Sequence, residues 1–316
     1  MTAPHDAAVF GLIVADLIAV PMDLRRPPAP GGLVPLDSLT LTTGGNVCNT
    51  GVALAKLGAT TAACGRVGND VLGRAVVESL QAAGLNTTCV QSDNRAQTSA
   101  TVVAVEPGGE RCFFHTPGVT PFLDADAFRA CFDLFSRSRF IQIGYFGLLP
   151  TLTPRLPALL EEFRKLHPIG PKIALDTVNP PADPSLLWPI LPHLDLFCPS
   201  RSEAMALTGL SDPKQIARQF RSKMREGAIV GIKLDAEGCL LDDGKQVHVV
   251  PSFRIDVVDT TGAGDTWFAG LIAALLRGMP LDRAGRFANR VAADCCTAIG
   301  ASAGLRSFDD VLARLD

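Results

Sequence analysis

Short β-rich runs alternate with longer helical ones along most of this chain, and that rhythm restricts it to a mostly parallel sheet covered by helices on both faces. Strand candidates are Ala8–Ala15, Thr61–Arg66, Phe140–Ile143, Lys172–Asp176, Leu194–Cys198 and Ala228–Leu234. Helical patterns lie between them at Val47–Leu57, Val71–Ala83, Leu156–Leu166 and Pro213–Arg225. The last third is helical, with Asp265–Arg277, Leu281–Ile299 and Phe308–Leu315. A chain of 316 residues with 47% hydrophobic content can bury a large core, and a single α/β domain over residues 1–316 is the expected organisation. Ligands of open α/β sheets bind beyond the carboxyl ends of the strands, so the loops there are where chemistry is expected.

Two segments break the rhythm. Residues 17–42 are Pro-rich and irregular, and residues 97–115 alternate around Pro107-Gly108-Gly109, which reads as a hairpin. Arg111 in that hairpin could reach a substrate phosphate or carboxylate, but a solvated charge is the plainer reading.

The string Asp259-Thr260-Thr261-Gly262-Ala263-Gly264-Asp265 ends in a carboxylate where the apolar run Thr266–Arg277 begins, and that run stops at Gly278 before Pro280. Gly262, Ala263 and Gly264 carry almost no side chain. Their N–H groups can approach an anion closely from a helix N-terminus. Asp265, in the first helical turn, is favoured as an anion by the helix dipole and is placed to act as a base beside such a pocket. A plain N-terminal cap is the alternative, but it accounts for Asp265 alone and leaves the string unexplained.

A second string, Thr43-Gly44-Gly45-Asn46-Val47-Cys48-Asn49 and onward to Gly58, lets the backbone pass close to a polyol at Gly44-Gly45, while Asn49 offers both an acceptor and a donor to hydroxyls. The same residues read structurally as a glycine loop capped by Asn46 before an amphipathic helix.

The two strings resemble the C-terminal and N-terminal signatures of the ribokinase-like (PfkB) carbohydrate kinases. The resemblance runs from Asp16 to about Gly304. It implies a ribokinase-like fold with a small β lid formed by segments 17–42 and 97–119, and transfer of the γ-phosphate of ATP, with Mg²⁺, to a sugar or nucleoside hydroxyl. By the same resemblance Asp265 is the catalytic base, and Gly262, Ala263 and Gly264 form the anion hole. Asp16, Gly44, Gly45 and Asn49 fall on sugar-binding positions. Lys233, Asp235, Gly238, Asn289 and Thr261 fall on the nucleotide side, and Glu203 on a position that orders Mg²⁺ through water. Residues matching Asp259 and Thr261, with carbonyls near Gly300, hold a monovalent cation such as K⁺ in relatives. The turn Asp176-Thr177-Val178-Asn179-Pro180 is similar to a family turn near the phosphates. Three positions depart from the pattern: Ser200 stands where an Asn is usual, Asp235 where a Gly is usual, and Gly304 where ribokinases tend to carry a serine ligand to the cation.

Other classes fit less well. A net charge of −3 gives no footprint for nucleic acid or anionic membranes. Nine scattered cysteines without a CxxC argue against a disulfide framework and a zinc site. Residues 8–20 resemble a short signal-peptide core but are broken by Asp16 and preceded by His5 and Asp6, so a cytoplasmic protein is expected. No GxGxxG follows the first strand, which disfavours a dinucleotide dehydrogenase. The expectation is a sugar kinase acting on a primary hydroxyl, its partners sugar and ATP, with the lid a candidate homodimer interface. A nucleoside kinase and a non-catalytic sugar or nucleotide sensor on the same fold are the alternatives.

Overall fold

The computed structural model describes residues 5–108, 110–179 and 183–315. Nine strands form the main sheet: β1 (His5–Gly11), β4 (Thr61–Gly68), β5 (Asn86–Asp93), β8 (Ser138–Ile143), β9 (Lys172–Leu175), β10 (Leu196–Phe197), β11 (Ile229–Lys233), β12 (Cys239–Asp242) and β13 (Val247–Val250). Their order is β13-β12-β11-β10-β9-β8-β1-β4-β5. Pairing is parallel from β5 to β11 and antiparallel for the β11/β12 and β12/β13 pairs.

Strand β1 shows why the centre of this sheet is buried on both faces. Ala7 and Val9 join one apolar cluster while Ala8 and Phe10 join the other, so both sides of the pleat are covered. On the first face lie α1 (Asn46–Lys56), α2 (Val71–Ala82), α8 (Ala263–Leu276) and α9 (Leu281–Cys295). On the second lie α3 (Ala125–Arg129), α4 (Phe132–Ser136), α5 (Leu156–Leu166), α6 (Arg201–Thr208) and α7 (Pro213–Arg221). Helix α8 is buried nearly all round against α1 and α9, which explains why its sequence is almost purely apolar. A short α10 (Phe308–Leu312) follows.

A second sheet has the order β3-β2-β6-β7, from β2 (Val14–Val20), β3 (Ser38–Gly44), β6 (Ala100–Val105) and β7 (Arg111–Thr116). This corrects two expectations. The single strand Ala8–Ala15 is divided between two sheets, with Leu12 and Ile13 as the corner, and the irregular segment 17–42 has strand at both ends. The 97–115 hairpin is β6 and β7 in antiparallel register, Val102 opposite Phe114; Gly109 of its turn lies outside the described residues, as does Pro180. One row across this sheet is polar, Thr42–Asp16–Thr101–His115. The next row is apolar, Leu41–Leu17–Val102–Phe114, and its outer members Leu41 and Phe114 are exposed.

Strands β5, β12 and β13 and helices α3, α4 and α6 are additions to the elements expected from sequence. β5 is an edge strand too polar to stand out, and α9 ends at Cys295 instead of Ile299. Cys64, Cys89 and Cys131, far apart in sequence, gather with their sulfurs within 4.8 Å of one another. Among the described residues no helix is long and apolar enough to cross a membrane.

Candidate active site

Strand order reverses about β1, with β4 on one side and β8 on the other, and the crevice there is where a doubly wound sheet can take a ligand. Asn46 holds this point together. Its Oδ1 accepts from the Leu12 N–H at 2.9 Å, and its Nδ2 donates to the Phe10 carbonyl at 3.0 Å and to Gln142 at 3.3 Å. Gly11 and Gly144 have no Cβ because one would overlap the Asn46 side chain. Asn46 is therefore a buried tie between strand ends; the cap of α1 is Gly45, at φ 82°.

From this tie α1 carries Asn49 toward the start of α8. The Asn49 Nδ2 donates to Asp265 Oδ2 at 2.8 Å, and the hydroxyl of Tyr145 donates to the same oxygen at 2.8 Å. Among the described residues Oδ1 of Asp265 receives no donor. Asp265 is only 5% exposed, and burial pushes its carboxyl above the ordinary range even though Asn49, Tyr145 and the Lys233 charge pull the other way. Tyr145, the only tyrosine of the chain, follows β8 in the left-handed region at φ 58°; sequence reasoning missed it because no periodicity or motif marks it.

Gly262 caps α8 at φ 75°, with Ala301 packed where its Cβ would be. The N–H groups of Gly262, Gly264 and Asp265 have no acceptor among the described residues. That of Ala263 donates to the Thr260 carbonyl at 3.1 Å, so one of the three expected cradle amides is engaged within its own turn.

Beside the cradle lies a cleft of about 840 Å³ bordered by Asp176, Lys233, Asp235, Trp267 and Asn289. Lys233 Nζ donates to Asp176 Oδ1 at 2.7 Å. Burial opposes the lysine's charge, but Asp176 and Glu203 outweigh it and raise its pKa. Burial raises Asp176 to about 7 against the pull of Lys233, with Asp265 and Glu203 adding repulsion. Three carboxylates thus share one ammonium, a charge surplus that suits a hydrated divalent cation. Glu203 closes a capping box on α6: its Oε2 accepts from the Ser200 N–H at 2.7 Å and the Thr177 hydroxyl at 2.6 Å. Ser200 thus has a structural role as the cap.

Asp235 sits at φ 53°, a conformation that glycine takes freely and Asp tolerates, which accounts for the glycine expected there. Gly238, at φ 106°, packs on the Val250 carbonyl. Asn289, on α9, is buried: it accepts from Trp267 Nε1 at 2.8 Å and donates to the carbonyls of Val250 and Pro251. It borders the cleft with its amide already engaged.

At the expected sugar-binding positions, Gly44 leaves room for the Asp16 carboxylate, which a Cβ would overlap, and Gly45 passes over the Leu12 carbonyl in the same way. Burial raises the Asp16 pKa. Arg111 is not a solvated charge: it pairs with Asp259 at 2.7 Å and donates to the Thr261 hydroxyl at 2.8 Å.

Residues 4–307 match the family described as pfkB family carbohydrate kinase. The chain belongs to that family. Members are phosphotransferases, and this chain is a carbohydrate kinase of the ribokinase-like fold. It is 31% identical over 267 residues to an uncharacterized sugar kinase of Archaeoglobus fulgidus, covering 82% of this chain and 100% of that one. It is 26% identical to the ribokinase of Haemophilus influenzae over 98% of this chain and 97% of the relative. Arabidopsis thaliana ribokinase, solved with ribose and ATP, superposes with a TM-score of 0.82 at 22% identity, covering 100% and 99% of the two chains. A nucleoside kinase of Methanocaldococcus jannaschii shares the fold at TM-score 0.76 and 18% identity over 98% of each chain.

Proposed function

We propose that this pfkB-family kinase transfers the γ-phosphate of ATP to a primary hydroxyl of a small sugar, with Asp265 as the base. One observation carries the reading: Asp265 lies where the sugar-side helix meets the amide cradle, one oxygen anchored by Asn49 and Tyr145 and the other without a donor among the described residues. Asp265 Oδ1 takes the hydroxyl proton as the acceptor oxygen bonds to the γ-phosphorus and the bond to the departing ADP oxygen breaks. A carboxyl titrating above its ordinary range is a better proton acceptor than a solvated one.

The free amides of Gly262 and Gly264, with Lys233 beside Gly264, oppose the charge on the group in flight. The Ala263 amide joins them only if its turn bond to Thr260 opens. Asp16, Gly44, Gly45 and Asn49 orient the sugar, and the small sheet above them excludes water. Asp235, Gly238, Asn289 and Thr261 border the nucleotide's position, with Asn289 acting as a wall. Glu203 and Asp176 are the carboxylates that fit Mg²⁺, which when bound with ATP neutralises phosphate charge.

The test is ADP release from Mg·ATP over a panel of pentoses, hexoses, keto-sugar acids and nucleosides. Turnover of a sugar supports the reading. A nucleoside as the preferred acceptor would replace the sugar, and ligand-induced thermal stabilisation without ADP release would make the protein a sensor.

A further inference from the structure

The potassium position of the resemblance centres on Asp259, and the donors around that residue leave little for a bound ion. Asp259 Oδ1 accepts from Arg111 at 2.7 Å, from the Thr261 N–H at 2.9 Å and from the Thr261 hydroxyl at 2.7 Å. Oδ2 accepts from the Gly300 N–H at 2.7 Å. Both oxygens are therefore engaged by the protein itself. The carbonyls of Thr261 and Ala301, which flank the same spot, converge on the Cys295 thiol at 3.5 Å each. A potassium ion needs several oxygen ligands at once, and here the carboxylate and two carbonyls already face N–H, O–H and S–H groups.

Asp259 is buried, and the Arg111 guanidinium is its counter-ion. Arg111 comes from β7 of the small sheet, 150 residues before its hydrogen-bond partner Thr261, and this pair lies in the loop that leads into the Gly262–Gly264 cradle. One guanidinium nitrogen of Arg111 serves Asp259 and Thr261 together.

We propose that Arg111 is a built-in counter-cation for the cradle loop, taking the place of a bound monovalent ion, so that this kinase works without potassium. The activity part of this inference rests on the phosphotransfer reading above; the ion part does not.

The decisive experiment compares potassium chloride with tetramethylammonium chloride at equal ionic strength, for the wild type and for Arg111→Ala. Wild-type turnover is expected to agree within twofold in the two salts. Arg111→Ala is expected to lose tenfold or more in tetramethylammonium and to recover most of that loss in potassium. The wild-type thermal midpoint is expected to be the same in both salts, with potassium raising that of Arg111→Ala. A tenfold stimulation of the wild type by potassium, or an Arg111→Ala enzyme indistinguishable from wild type in tetramethylammonium, would overturn the proposal. If no sugar or nucleoside is phosphorylated, the wild-type thermal comparison still decides it: specific stabilisation by potassium rejects the counter-cation.

Discussion

The side chains of Asn49 and Asp265, 216 residues apart, meet in a 2.8 Å hydrogen bond that joins the glycine loop of the first third of the chain to the small-residue turn of the last. Each string alone admits a structural explanation. Their contact puts the amide proposed to bind the sugar against a carboxylate raised above its ordinary range, and the account of function depends on that pairing.

Tyr145→Phe removes the second donor to Asp265 Oδ2. That bond lowers the Asp265 pKa, so its loss raises it further. Because the base must be ionised, activity falls as pH drops through this pKa. The acid limb of the kcat/KM profile is therefore expected to move to higher pH, with activity recovering above it. A limb that stays in place would remove Tyr145 from the tuning of the base.

Gly262→Ala places a Cβ against Ala301 at a φ of 75°. Left-handed backbone alone costs a non-glycine residue about 1–2 kcal/mol, and the overlap adds to it. The thermal midpoint is expected to fall and kcat to drop about 100-fold, because the overlap displaces the Gly262 amide by an amount comparable to losing one oxyanion donor. Ala263→Gly, which keeps the amide, is expected to stay within a few fold of wild type.

Much of this was legible in sequence, and the misses have physical reasons. The Gly262–Asp265 turn and the Gly44–Asn49 loop are contiguous, so their side-chain sizes and spacing can be read directly. Tyr145, Asn46 and Arg111 act through contacts with distant segments. Asn46 looks like a cap until Leu12 and Gln142 are seen around it, and Arg111 looks solvated until Asp259 is. The Ala8–Ala15 run hides a change of sheet because both halves are apolar and extended.

Gly44→Ala is expected to act on the sugar and not on the chemistry. Its Cβ displaces the Asp16 carboxylate, so KM for the sugar is expected to rise tenfold or more with kcat within a few fold. A fall in kcat with KM unchanged would place Asp16 elsewhere.

Lys233→Met leaves Asp176 buried without its 2.7 Å partner. Removing one member of a buried pair typically costs about 3–5 kcal/mol. Denaturant unfolding is expected to show a loss of that order, largely restored in the Lys233→Met/Asp176→Leu double variant. Turnover is expected to remain low in both, because the ammonium beside Gly264 is gone.

The most direct test is Asp265→Asn, assayed with the best acceptor from the panel. The account predicts a loss of turnover of about 1,000-fold or more, within the scale of general-base catalysis combined with a disturbed cradle, while calorimetric affinity for the sugar stays within a few fold. An Asp265→Asn enzyme that keeps its turnover within tenfold of wild type would contradict the assignment of the base and the function built on it.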